Sequence, residues 1–166
     1  MEERPVPNWP GWYGRSDGSV RTPDNRILWG SPNKQGHLCF FAKNPWGQFQ
    51  TCWIHRFVAK AFVENPCPSI FVEVDHIDRC PSNNKPSNLR WLSHSLNSLN
   101  KKCKNAVWCK RRKRFRCLVT INKKRKYLGY FFTEEECSAV AYDYKLRLLN
   151  RLYTEILNAR DQTPHI

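Results

Sequence analysis

The sequence predicts an α+β chain made of three unlike pieces, and three observations carry that prediction. Residues 1–54 are short strand-like runs broken by Gly, Pro and Asn. Residues 55–104 run helix, apolar strand, polar loop, apolar strand, helix. Residues 105–158 alternate with period two and then turn helical, leaving 159–166 as a tail.

Each element has its own warrant. Asp17-Gly18, between Gly14-Arg15 and Val20-Arg21, is a hairpin turn signal. Strands at 37–43 and 49–54 are joined through Asn44-Pro45-Trp46-Gly47. From His55 the spacing of Phe57, Val58, Ala61 and Phe62 is helical, and Asn65-Pro66 ends that helix. Residues 71–75 form a strand, 78–87 a Pro- and Asn-bearing loop, and 89–92 a second strand. Ser93 suits the N-cap of a helix running through Asn97 to about residue 102, and the basic stretch 101–105 is the expected domain boundary. In 114–121 the alternation puts Phe115, Cys117, Val119 and Ile121 on one face and Arg114, Arg116, Leu118 and Thr120 on the other. A basic turn at 122–126 and a third strand at 127–131 follow. Thr133 with Glu136 makes a capping box, and Cys137, Val140, Ala141, Tyr144 and Leu148 make one helical stripe. The outcome is a small sheet braced on one face by a helix, with the other face open, basic and aromatic.

Charge narrows the partners. The 166 residues carry a formal net charge of +14, and thirteen Lys or Arg with no Asp or Glu fall between residues 101 and 132. A polyanion is the expected partner. No apolar run reaches the roughly 18 residues of a membrane helix, and the first residues lack the basic-then-apolar grammar of a secretory signal. An intracellular protein with no membrane partner is the expectation. Eight cysteines without a CxxC pair argue against a disulfide framework. Cys39, Cys117 and Cys137 fall at apolar positions and read as core thiols. Cys67, Cys80, Cys103 and Cys109 surround the candidate site at irregular spacing, which argues against structural zinc.

The chemistry concentrates in Val74-Asp75-His76-Ile77-Asp78, then Asn88-Leu89-Arg90-Trp91, then Asn97. An Asp-His pair leaves a strand, a loop follows, and a helix presents an Asn. Hydrolysing a phosphodiester needs an activated water, a cation to neutralise developing charge, and help for the leaving oxygen. His76 suits the base, because its ordinary pKa lies near neutrality. Asp75 and the Asn97 carboxamide offer hard oxygen donors for Mg²⁺ or Mn²⁺, one ion per site. Neighbours on an extended strand point to opposite sides, so Asp75 and His76 share a site only where the strand ends or bends. Asn88 is placed to hold His76 in one tautomer. Leu89 and Trp91 read as core, and Arg90 as a phosphate contact or a partner for Asp78. Each residue alone is commonplace, and the joint array is specific.

That array resembles the HNH endonuclease motif found in phage intron-encoded homing enzymes, with residues 54–59 resembling the His-Arg-x-Val-Ala segment that usually precedes it. Residues 11–21 resemble the small N-terminal module often fused to it. The resemblance implies a ββα-metal fold with one divalent cation held by Asp75 and Asn97, His76 as general base, and Asn88 orienting it. The role of His55 stays open. The loop departs from the usual Asp-Gly-Asn after the pair, reading Asp78-Arg79-Cys80-Pro81.

Residues 105–150 resemble an AP2-type DNA-binding domain through Val107-Trp108, Lys113-Arg114-Phe115-Arg116, Tyr127-Leu128-Gly129-Tyr130-Phe131, Thr133-Glu134-Glu135 and Ala141-Tyr142-Asp143. The expected DNA face is Trp108, Lys110, Arg112, Arg114, Arg116, Thr120, Arg125 and Tyr127, with Trp108 as core the competing assignment. Together the resemblances imply a site-directed, metal-dependent endonuclease acting on double-stranded DNA as a monomer, of a homing enzyme kind carried by viral, phage or organellar elements. The rivals are a non-catalytic, transcription-factor-like DNA binder that keeps the HNH fold, and a zinc-stabilised structural or RNA-binding protein.

Overall fold

A computed structural model of the chain describes residues 1–100, 105–121 and 124–161. The chain falls into two compact units, Met1–His94 and Ser95–Ile166. Whereas the sequence suggests a division near residue 54, no boundary between units falls there.

The first unit explains why. Strands β1 (Glu3–Pro5), β2 (Tyr13–Arg15), β3 (Val20–Arg21) and β4 (Ile27–Leu28) form one antiparallel meander. Strands β5 (Ser31–Pro32), β6 (Leu38–Lys43) and β7 (Phe49–Trp53) form a second. Helix α1 (Ile54–Phe62) follows β7 directly. Its apolar face carries Ile54, Phe57, Val58 and Ala59, all buried. Phe57 lies 4.7 Å from Trp9 and 5.1 Å from Phe40, and Trp12 stacks on Phe40 at 5.2 Å. These aromatics come from both meanders, so neither sheet has a core without the helix. Gly14 permits the closest approach: a Cβ there would meet the Cβ of Ala61 at 2.7 Å.

The expected turns are present. Asp17 Oδ1 accepts hydrogen bonds from the Ser19 amide and hydroxyl, and Gly18 closes the turn at φ +90°. Gly18 also lies against the loop further along the chain, where a Cβ would come within 2.8 Å of the Asn84 backbone carbon. Asn44 Oδ1 accepts from the amides of Trp46 and Gln48, which sets the β6–β7 turn.

Strands β8 (Glu73–His76) and β9 (Leu89–Leu92) form an antiparallel ribbon that pairs Asp75 with Arg90 and His76 with Leu89. Trp91 is anchored by its indole N–H donating to the Val63 carbonyl at 3.0 Å. Helix α2 (His94–Asn100) follows Ser93. The expected linker at 101–105 lies, but for Asn105, outside the described residues.

In the second unit β10 (Ala106–Cys109), β11 (Arg114–Ile121) and β12 (Lys124–Phe131) form an antiparallel sheet. Lys124, Arg125 and Lys126 belong to β12 rather than to a turn; residues 122 and 123 lie outside the described residues. Helix α3 (Glu134–Asp161) starts at the expected capping box: the Glu136 amide donates to Thr133 Oγ1 at 3.1 Å, and Glu136 Oε2 accepts from the amides of Phe132 and Thr133. It runs past residue 158, so no tail begins at 159. Cys117, Val119, Cys137 and Ala141 form the sealed core between sheet and helix. The Cys117 thiol is pushed up to about 11 by burial and the neighbouring Cys137, which makes it inert filling. The stripe differs from expectation at Val140, which is exposed, and at Lys145 and Leu149, which are buried. Cys39 is half-buried rather than core. Among the described residues no helix is long and apolar enough to cross a membrane.

Candidate active site

The site grows from the end of β8. Strand alternation separates Asp75 from His76 within the ribbon, but β8 ends at His76, where the chain turns into the loop. Asp75, 6% exposed, meets the guanidinium of Arg90 directly across the ladder, with Arg90 Nε donating to Oδ2 at 2.8 Å. A buried carboxylate needs such a counter-charge. The guess that Arg90 serves Asp78 or phosphate therefore yields to a pairing with Asp75.

His76, the last residue of the strand, is 5% exposed. Asn84 Oδ1 accepts from its Nε2–H at 3.0 Å. In the neutral ring that bond selects the tautomer whose lone pair is on Nδ1. The expectation gave this orienting job to Asn88. Instead, the Asn88 carboxamide closes the loop: Oδ1 accepts from the Asp78 amide at 3.0 Å, and Nδ2 donates to Asp78 Oδ1 and the Asn83 carbonyl. Asp78 is the hub of that loop and also accepts from Asn83 Nδ2 and the Cys80 amide. These donors hold the Asp78 carboxyl below its usual range, Asn83 contributing most. Asn88 thus acts on the segment that carries Asn84. Within the loop Arg79 sits at φ +62°, in the left-handed region.

Two more histidines complete this face. His37, just before β6, and His55, on the first turn of α1, bring their rings 5.5 and 5.0 Å from the His76 ring. One ligating nitrogen from each of the three lies within 4.8 Å of the others. His55 Nδ1 and His37 Nδ1 are buried without a hydrogen-bond partner. Burial, then the neighbouring His76 and His37, pull His55 down to about 3; burial and His76 also lower His37. Both rings are therefore neutral at physiological pH. Among the described residues no group of cysteines gathers at ligand spacing, and Cys103 lies outside them.

Asn97 sits half-buried on α2, in the second unit. On the sheet of that unit, Lys110, Arg112, Arg114, Arg116, Thr120, Arg125 and Tyr127 are all exposed. Register sorts them further. Arg116 pairs with Tyr130, Thr120 with Arg125, and Leu118 with Tyr127, and all share the open face. Trp108 pairs with Phe115, their rings 4.9 Å apart, so it lies on the helix side of the sheet although half exposed. Arg112 and Arg114 stack on Tyr130 and Phe132 at 4.7 and 4.1 Å.

Sequence reasoning missed Asn84 and His37. Asn84 is one of several Asn in a loop with no periodicity. His37 is a lone His beside a strand, and only its meeting with His55 and His76 gives it meaning.

Comparison with known proteins agrees with the ribbon and its surroundings. Residues 52–99 match the family model described as HNH endonuclease. An uncharacterized HNH endonuclease of Acanthamoeba polyphaga mimivirus is 26% identical over 125 residues, 75% of this chain and 31% of that protein. The chain therefore spans about a third of that relative's length. A solved structure described as "DNA binding and cleavage by the HNH homing endonuclease I-HmuI" aligns with a TM-score of 0.53 at 20% identity, covering 77% of this chain and 78% of that one. At that identity the likeness concerns the fold.

Proposed function

We propose that the protein is a site-directed DNA endonuclease that hydrolyses phosphodiester bonds in double-stranded DNA with one divalent metal. The observation that carries the reading is the setting of His76: buried, held at Nε2 by Asn84, and one residue from a buried carboxylate inside the segment that matches the HNH family. Nδ1 of His76 takes the proton of the attacking water. Asn84 keeps that nitrogen aimed, and Asn88 keeps Asn84's loop closed.

The donors at Asp75 and Asn97 are a carboxylate and a carboxamide oxygen, which suits Mg²⁺ or Mn²⁺. The buried Asp75 carboxylate is paired with the Arg90 guanidinium, so a metal ion would share that carboxylate with Arg90 or displace it. When bound, the ion neutralises charge on the phosphate and the leaving 3′ oxygen. Arg90 balances Asp75 until then.

Affinity is assigned to the second unit, as an AP2-like sheet. Arg114, Arg116, Thr120, Arg125 and Tyr127 form the open face, and Lys110 and Arg112 extend it at the β10–β11 turn. Trp108, on the helix side, is a brace in this reading. The role proposed for the whole is a homing endonuclease of a mobile element, acting as a monomer inside the cell, nicking one strand and leaving 5′-phosphate and 3′-hydroxyl ends.

The Asp75–Arg90 ion pair favours a second reading, a DNA binder whose metal ligand has been neutralised. One assay separates them. Supercoiled plasmid with Mg²⁺ or Mn²⁺ is nicked by the wild type, while His76→Ala loses roughly 10²-fold or more in rate and still binds DNA. Equal inactivity of both, with binding retained, selects the second reading.

A further inference from the structure

The three histidines of the first unit do more than the proposed hydrolysis asks of them. Only His76 has a part in it. His37 and His55 come from different elements, yet both send a ring to the same place as His76, with one nitrogen of each inside a 4.8 Å span. His55 is 8% exposed and its Nδ1 has no partner; the Nδ1 of half-buried His37 has none either. Buried polar atoms are nearly always satisfied, so two orphaned nitrogens on rings that gather at one place point to a missing partner. The third ring shows the arrangement expected around a metal: its far N–H is given to a carbonyl oxygen, that of Asn84. Imidazole nitrogens have lone pairs to give, and His37 and His55, held neutral by burial, repel no cation. They are poor ligands for Mg²⁺, which prefers oxygen, and good ones for borderline ions of the zinc class.

We propose that His37, His55 and His76 form a three-imidazole site for a zinc-class transition-metal ion, and that filling it silences His76. A tetrahedral zinc site holds its nitrogens about 3.3 Å apart, given Zn–N bonds of about 2.0 Å. Closing from the observed span takes a modest rotation of the rings, and Trp53, 6.2 Å from His37 and 6.1 Å from His55, walls one side. The fourth position goes to water. The ion takes the Nδ1 lone pair of His76, the pair that would accept a proton. The silencing rests on the nuclease reading, and the binding does not. Asp75, a carboxylate, is left to the oxygen-seeking ion.

The test uses the metal-free full-length chain titrated with Zn²⁺, following the histidine rings by two-dimensional ¹H–¹⁵N NMR and affinity by calorimetry. One Zn²⁺ per chain is expected, with three ring systems shifting together. Affinity falls about ten-fold or more in His37→Phe; His37→Gln repeats the measurement if that variant misfolds. Failure of the rings to shift, or zinc affinity unchanged in both variants because thiols take the ion, overturns the site. In parallel, Zn²⁺ is added to Mg²⁺-supported plasmid nicking. Inhibition should track occupancy and require about ten-fold more zinc in the His37 variant. Nicking that persists while the three rings are metal-shifted overturns the silencing. A wild type that never nicks with Mg²⁺ counts against the nuclease reading, and the ring shifts still decide the site.

Discussion

Arginines of the first unit and of the sheet in the second live differently. In the first unit Arg4, Arg15, Arg21, Arg26 and Arg90 each meet a carboxylate. In the second, no Lys or Arg of the sheet β10–β12 forms an ion pair among the described residues, and Arg112 and Arg114 lie over aromatic rings instead. The same residue type is therefore put to two uses. Charge cancelled by a neighbour fixes local geometry and projects little field. Charge left uncancelled on one face projects a field that a polyanion feels. Net charge alone, read over the chain, conceals that split.

Four experiments break or sharpen it. Arg90→Leu should cost most in stability, about 3 kcal/mol, because it leaves the buried Asp75 carboxylate without its counter-charge. Chemical denaturation at pH 7 measures this, and an unchanged midpoint would mean that Asp75 is compensated elsewhere. The combined Arg114→Gln, Arg116→Gln and Arg125→Gln chain should behave inversely. Its stability should stay within about 0.5 kcal/mol, while the slope of log affinity against log salt falls by about 2.7 if all three sit on phosphates. Fluorescence anisotropy over a salt series reads the slope; an unaltered one removes this face from the interface.

The third concerns pH. Folded His55 titrates near 3, while an unfolded histidine takes its proton near 6.5. Between those values the unfolded chain binds the extra proton, so stability is highest above pH 6.5 and declines as pH falls, by about 1.4 kcal/mol per unit from this residue. Thermal melts from pH 7 to 4.5 on wild type and His55→Gln should show the variant with the shallower slope. The smallest effect is expected at Arg26→Ala, where an exposed pair with Asp24 is removed and the denaturation midpoint should hardly move.

How far the sequence foretold these arrangements depended on range. Strand β9, the Asp17-Gly18 turn and the Thr133–Glu136 cap are decided within a few residues, and all were legible. So was the division of Arg114 and Arg116 from Cys117 and Val119, because alternation is local. Trp108 was misplaced because its side depends on the offset between β10 and β11, which only the pairing with Phe115 settles. The carboxamide on His76 was assigned to Asn88 rather than Asn84 because an aperiodic loop gives no direction to its side chains. The cluster of His37, His55 and His76 was invisible, since its members are separated by whole elements and meet only after the helix packs on the sheets. Lys145 shows the same limit: it was left out of the apolar stripe, yet its helical position places it between Ala141 and Leu149 on the buried side.

The corner at Gly18 has a bearing on how such proteins can be recombined. An N-terminal β module of this kind invites treatment as an interchangeable cassette. Here the hairpin corner is seated on the backbone of Asn84 and Lys85 so closely that no side chain fits between them. A graft that replaced residues 1–30 with a hairpin ending in any larger residue would push on the loop that aims His76, some sixty positions downstream. The hairpin and the loop are in that sense a single heritable part, and a working chimaera would have to take both from one parent.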